Sequence, residues 1–226
     1  MTAVPTRKAN RRGRVSTVVL LVAALAVMVA IEVADLARSL DSAVLNAFIR
    51  HRTPSWTSTA TALTNTGASP FAYPVAISAA AVVWFRTRQW RPAVAAPIVL
   101  ILGVLSRLLL SILVRDDRPP VTFWLVPVGG FSFPSGHAAA SALLAGTLIW
   151  LVGRAGVRRS IRLTLNGLLG AWALLVGLTR LYLGVHWITD IVGSWLLAAA
   201  WLNLLPLVDR LDSSIPRAKP SPAGSG

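Results

Sequence analysis

The chain has 226 residues, of which 55% are apolar and only 13% charged, with a mean hydropathy of +0.66 and a formal net charge of +14. About a quarter of an ordinary soluble domain is charged, so this composition excludes a soluble globular protein and a disordered one and implies a single membrane-embedded domain. The excess positive charge does not build a nucleic-acid face, because the basic residues fall in short clusters between apolar runs. Cysteine is absent, which excludes disulfides and thiolate metal sites.

Crossing about 30 Å of hydrocarbon takes about 20 helical residues. Six apolar runs are candidates, and they predict an all-α, polytopic membrane protein with six transmembrane helices. The runs are 15–31, 71–85, 93–114, 138–152, 163–179 and 188–208. The second and fourth are short and must borrow flanking residues. Fifteen Lys and Arg residues fall in the N-terminal segment, the loops after the second and fourth runs, and the tail. Six fall on the other side, and Arg107 lies within a run. The positive-inside rule then puts both termini in the cytoplasm. Trp84, Trp90 and Trp150 near the inner ends, with Trp124 and Trp187 near the outer ends, suit interfacial anchoring. Residues 1–14 read as a basic cytoplasmic N-terminus, 15–208 as the membrane domain and 209–226 as a disordered cytoplasmic tail rich in Pro, Ser, Ala and Gly. The basic start and first apolar run also resemble a signal peptide. The run is long for one, and Glu32 and Asp35 stand where a cleavage site should be clear.

The first outer loop, 34–70, is too long to be structureless. Asp41 can cap a short helix with Val44, Leu45, Phe48 and Ile49 on one side. Thr53-Pro54 is a helix start and Gly67 a stop. Two short interfacial helices are expected there. Glu32 and Asp35 can pair with Arg38 or with an active-site arginine and read as structural, and His51 reads as a surface residue.

All three histidines fall on the outer side. In Pro134-Ser135-Gly136-His137, Ser135 is a plausible N-cap and Gly136 permits close backbone approach. Free N–H groups at a helix start favour an anion, and His137 stands beside them as a proton donor. An ordinary capped helix start is the alternative. His186 and Asp190 are spaced i, i+4 and share a helix face. A carboxylate inside a span costs about 2.5–3.5 kcal/mol and needs a partner. The pair can orient one imidazole nitrogen for catalysis, or can be structural. Positions 107, 111, 115 and 118 follow one helical stripe and read Arg107, Ser111, Arg115 and Arg118. Guanidiniums on one stripe suit phosphate recognition, with snorkelling to lipid headgroups as the alternative. Asp116 and Asp117 can be imagined as a metal site, but adjacent loop carboxylates more often hydrate a turn or temper nearby arginines.

These three segments, in this order and on one membrane side, resemble the signature motifs of the type 2 phosphatidic acid phosphatase superfamily of integral membrane lipid phosphatases. The resemblance covers about residues 15 to 208. The second motif is complete at Pro134-Ser135-Gly136-His137. The third runs from Arg180 through His186 to Asp190, with Thr179 in place of serine. The first retains Arg118-Pro119 but has Ser111 where the family has lysine. Arg107 or Arg115, one turn either way, can supply that charge. The resemblance implies that His186 attacks phosphorus to form a phosphohistidine, that Asp190 orients it, and that His137 is the general acid. Arg118, Arg180, Ser135 and Gly136 then hold the phosphate, and neither metal nor cofactor is required. The expected substrate is a lipid phosphate or diphosphate at the outer face of the cell membrane: a polyprenyl diphosphate, phosphatidate or phosphatidylglycerol phosphate. A lipid phosphotransferase and a catalytically weak relative that binds anionic lipid are the competing readings.

Overall fold

The computed structural model describes the backbone of residues 7–207 and the side chains of 15–207. The expected tail, 209–226, and the side chains of the basic N-terminus lie outside the described residues. The described chain is helical, in the order α1 (Arg7–Val33), α2 (Arg38–Arg50), α3 (Pro54–Thr66), α4 (Ser69–Thr87), α5 (Trp90–Val114), a 3-10 turn at Val121–Phe123, α6 (Gly136–Val152), α7 (Arg159–Tyr182) and α8 (Ile188–Leu202). α1 begins inside the basic segment rather than at its apolar run.

Among the described residues, four helical stretches are long and apolar enough to cross a membrane: Val15–Val33, Trp90–Val114, Arg159–Tyr182 and Ile188–Leu207. The chain is therefore a multi-pass membrane protein. α3 and α4 together make a fifth candidate, bent by 52°. α4 itself borrows flanking residues on both sides of the second apolar run, as expected. α6, the expected fourth span, has 17 residues, about 25 Å at 1.5 Å per residue.

α6 is apolar on all sides and occupies the centre, packed against α4, α5, α7 and α8. A helix without a polar face belongs in a core. Small residues permit the close approach. Ala72 and Ala76 of α4 meet Leu100 of α5, Leu143 and Leu144 of α6, and Ala198 of α8. Close backbone approach through alanine is how helices associate where lipid is as apolar as their side chains. α1 packs on α8, and α3 on α7.

The outer loop folds largely as expected. Thr53 caps α3 by accepting the Trp56 N–H, Pro54 sits in its first turn, and Gly67 ends it. Leu45 is buried, and Val44 and Phe48 pack against Ala138, Leu181 and Ile191. Asp41 differs. The helix starts earlier, behind Ala37, and Asp41 accepts hydrogen bonds from the Thr189 backbone N–H and hydroxyl. A bond to the first turn of α8 replaces the expected cap because the carboxylate is buried, 1% exposed, and requires donors.

The antiparallel connections bring the C-terminal ends of α5 and α7 to the N-terminal ends of α6 and α8. The basic loops after α4 and α6 lie at the opposite end. The segment joining α7 to α8 is locked from outside. Arg52 Nε donates to Tyr182 O, and the Tyr182 hydroxyl donates to Thr53 O. Gly184 adopts φ +75°, and a Cβ there would collide with Phe123 O and Arg52 Nη2. We expect Gly184→Ala to lower thermal stability in detergent by at least ~1–2 kcal/mol from the left-handed backbone alone, and the collision adds to that. Equal melting of the two proteins would show that this turn is looser than its packing.

Candidate active site

Asp190 is the third residue of α8, where its carboxylate faces the positive end of the helix dipole. It is fully buried, and its Oδ2 accepts three hydrogen bonds. They come from Trp187 N at 2.8 Å, His186 Nδ1 at 2.9 Å and Ser132 Oγ at 2.5 Å. The expected His186–Asp190 contact is therefore present. His186 is not on the helix, however. It lies in the bend before α8, which starts at Ile188.

The tautomer of His186 follows from its partners. A carboxylate only accepts and a guanidinium only donates. Nδ1 faces Asp190, so it carries the proton. Nε2 faces Arg118 Nη1 at 3.1 Å, so it presents its lone pair. Burial first, then the charges of Arg118, Arg180 and Arg107, holds the imidazole well below its ordinary pKa of 6.5. His186 is therefore held in its neutral form, with the lone pair of Nε2 turned toward the cations and accepting from Arg118.

Arg118 does not continue the helical stripe expected from its spacing. α5 ends at Val114, and Arg115 adopts a left-handed φ of 56° as its cap. The Arg118-Pro119-Pro120 run disfavours helix at its own approach, so the chain leaves α5 early. Arg118 instead spans two loops. Nε donates to Gly130 O, Nη1 to Val185 O and His186 Nε2, and Nη2 to Gly129 O and Phe131 O. Five contacts match the five N–H groups of a guanidinium.

The same turn separates the two candidates for the missing lysine charge. Arg107 reaches inward, with Nε donating to Pro134 O at 2.7 Å. Its guanidinium lies over the next turn, so that a Cβ on Gly136 would be 3.3 Å from its Cζ. Arg115 is exposed, and its Nε donates to Ile112 O. Arg107 joins the cluster and Arg115 does not.

Ser135 precedes α6 but makes no side-chain cap. Its Oγ is buried and meets no partner among the described residues. Arg180 is 3% exposed, with Nη1 on Thr64 Oγ1 of α3, and its buried Nε likewise has no described partner. His137, half-buried, shares the electrostatic field of Arg180, His186, Arg107 and Arg118. Ser135 Oγ and Arg180 Nε thus have hydrogen-bonding capacity to spare, and Arg180 and His137 lie within electrostatic reach of His186.

A second network braces the segment behind the site. Arg38 pairs with Asp35 at 2.7 Å and Asp116 at 2.8 Å, and its guanidinium lies 4.7 Å over the Trp187 ring. Burial raises the Asp116 carboxyl to about 6 against the pull of Arg38. Asp116 thus tempers an arginine, as expected. His51 is on the surface, with Nδ1 on Ala47 O. Reading the sequence missed Ser132, Thr64 and Thr189. Their only signal is that each is a polar residue in an apolar or interfacial segment.

A family profile described as the PAP2 superfamily matches residues 54–211. The chain belongs to that superfamily. It is a membrane enzyme of the lipid phosphatase class. Phosphatidylglycerophosphatase B of Bacillus subtilis (strain 168) is 32% identical over 187 residues, which cover 80% of this chain and 87% of that protein. The crystal structure described as the first transmembrane PAP2 type phosphatidylglycerolphosphate phosphatase, from Bacillus subtilis, superposes with a TM-score of 0.78 at 28% identity. The match covers 89% of this chain and 98% of that one. Aquifex aeolicus LpxE shares the fold, with a TM-score of 0.57 at 22% identity over 74% of this chain and 95% of its own.

The opposite placements of Arg107 and Arg115 give a direct test. Arg107→Gln should lower kcat/KM for a lipid phosphate by about 10²-fold or more, the usual loss for one preorganised donor. Arg115→Gln should stay within about threefold of wild type, and Ser111→Lys should add little. A large gain from Ser111→Lys would show that Arg107 does not replace the lysine.

Proposed function

We propose that the chain hydrolyses a lipid phosphate on the extracytoplasmic side of the cell membrane through a phosphohistidine on His186. The observation that carries this is the arrangement around one imidazole. Nδ1 is held by Asp190, and the bare Nε2 faces Arg118, with Arg107, Arg180 and His137 around it. Phosphoryl transfer needs little covalent chemistry from a protein beyond positioning and charge stabilisation. A neutral, oriented imidazole among three guanidiniums supplies both.

Nε2 attacks phosphorus as the bond to the lipid oxygen breaks. His137 gives that oxygen its proton, and the alcohol leaves. Arg107, Arg180, Ser135 and the Gly136 N–H hold the non-bridging oxygens, joined by Arg118 when it releases Nε2. Water then attacks the phosphohistidine, His137 takes back a proton, and orthophosphate leaves. The relative in Bacillus subtilis carries the name phosphatidylglycerophosphatase B, so phosphatidylglycerol phosphate is the first substrate in this proposal. Polyprenyl diphosphate and phosphatidate follow.

The topology that accompanies this reading has six spans: α1, α4, α5, α6, α7 and α8. Residues 15–208 form the catalytic domain, and both termini are cytoplasmic. The basic loops 86–91 and 154–162 support it, since they share the end opposite the site.

The activity test is phosphate release by detergent-purified protein in EDTA from phosphatidylglycerol phosphate, phosphatidate, a polyprenyl diphosphate and a polyprenyl monophosphate. Wild type should release phosphate and His186→Ala should not. Wild-type turnover in His186→Ala would overturn the nucleophile assignment. The absence of cysteine allows a matching topology test. In intact cells a membrane-impermeant maleimide should label Thr122→Cys and spare Ser160→Cys, and the reverse pattern would invert the orientation.

A further inference from the structure

Ser132 lies three residues before Ser135 and is completely buried. Its backbone N–H donates to Asp116 O at 2.8 Å, which fixes where the side chain sits. Its Oγ is 2.5 Å from Asp190 Oδ2 and 3.5 Å from His186 Nδ1. A hydroxyl has one proton and two lone pairs. The carboxylate can only accept, so the Ser132 proton points at Asp190. A lone pair is then left toward Nδ1, and both groups facing Nδ1 offer it an acceptor. This pairing keeps the proton on Nδ1 and the lone pair on Nε2. Asp190 Oδ1 is buried and meets no partner among the described residues, so the carboxylate is oriented through Oδ2 alone. Ser132 and the Trp187 N–H are the two groups that hold it while it holds His186.

We propose that Ser132 is a positioning residue for the phosphatase reaction, aligning Asp190 and thereby fixing the tautomer and aim of His186. The proposal rests on the reading of His186 as nucleophile. Without the hydroxyl, the carboxylate is oriented by the Trp187 N–H alone and can turn from Nδ1, and with one donor fewer it also favours a protonated imidazole more. The acidic limb of kcat/KM therefore moves to higher pH. The charged and titratable groups facing the pair are Arg118 and Asp116 from the segment after α5, Arg107 from α5, Arg180 from α7, His137 from α6, Glu32 from α1, and Arg38 and Asp41 from α2. All of them remain in a Ser132 variant, so the displacement of the limb reports the hydroxyl.

The experiment uses full-length protein in detergent and two readouts. In the first, 15N-histidine labelling resolves three imidazoles, assigned with His51→Gln and His137→Gln. Wild-type His186 should show a protonated Nδ1 and a bare Nε2, and Ser132→Ala should show a mixture of tautomers. In the second, Ser132→Ala should lose about 10- to 100-fold in kcat, the value of one hydrogen bond to a charged group. KM should change by less than about twofold, and the acidic limb should rise by about one pH unit. Ser132→Thr, which keeps the hydroxyl, should recover most of the rate. Ser132→Cys, close in size with a weak donor, serves if alanine does not fold, and it should give an intermediate tautomer mixture. An unchanged His186 tautomer together with an unmoved acidic limb in a folded Ser132 variant would overturn the proposal. If His186→Ala retains turnover, the nucleophile reading fails, and the tautomer measurement still decides whether Ser132 sets the imidazole.

Discussion

A single buried carboxylate sets the terms for this molecule. Asp190 sits at the start of a helix inside an apolar bundle, where an unpaired charge costs several kcal/mol. The chain meets that demand with three donors on one oxygen and a helix N-terminus beneath it. Each donor comes from a segment that must be held elsewhere. Trp187 is tied to Asp117 O through its indole N–H. Ser132 hangs from Asp116 O. His186 is framed by the turn at Gly184. The loops at this end are therefore fixed by the need to satisfy one charge, and the arrangement around His186 is the form that satisfaction takes.

The helices behind the site supply rigidity rather than chemistry. α6 has no polar face to spare and is enclosed by four neighbours, so its first turn is presented from a packed element rather than a flexible loop. Buried side-chain contacts reach the outer helices too. Arg180 is braced by Thr64 of α3, and Thr189 by Asp41 of α2. α2 and α3 thus act as struts for the site.

Much of this was legible in the sequence because it is local. Apolar runs give helices, Thr53-Pro54 gives a start, and His186 with Asp190 gives a pair four residues apart. What stayed hidden is long-range. Ser132 to Asp190 spans 58 residues, Arg180 to Thr64 spans 116, and Thr189 to Asp41 spans 148. No periodicity marks a serine or threonine as the partner of a residue that far away. The helical stripe failed for a related reason. Extending α5 through Arg115 and Arg118 ignored the conformational demand of Pro119 and Pro120, which takes Arg115 out of the cluster and leaves Arg107 as the arginine within reach. The second apolar run does borrow flanking residues, since α4 covers Ser69–Thr87.

Arg118 has a further consequence. Its five N–H groups already have acceptors: four loop carbonyls and an imidazole nitrogen. A phosphate oxygen that reaches it gains no hydrogen bond outright and must exchange one, displacing a partner that was satisfied before. In the proposed mechanism such an exchange leaves the number of hydrogen bonds unchanged, and it also lifts the guanidinium from the Nε2 lone pair that attacks phosphorus. In that mechanism the arginine contributes little to holding a lipid that merely visits, and phosphate binding is coupled to release of the attacking nitrogen.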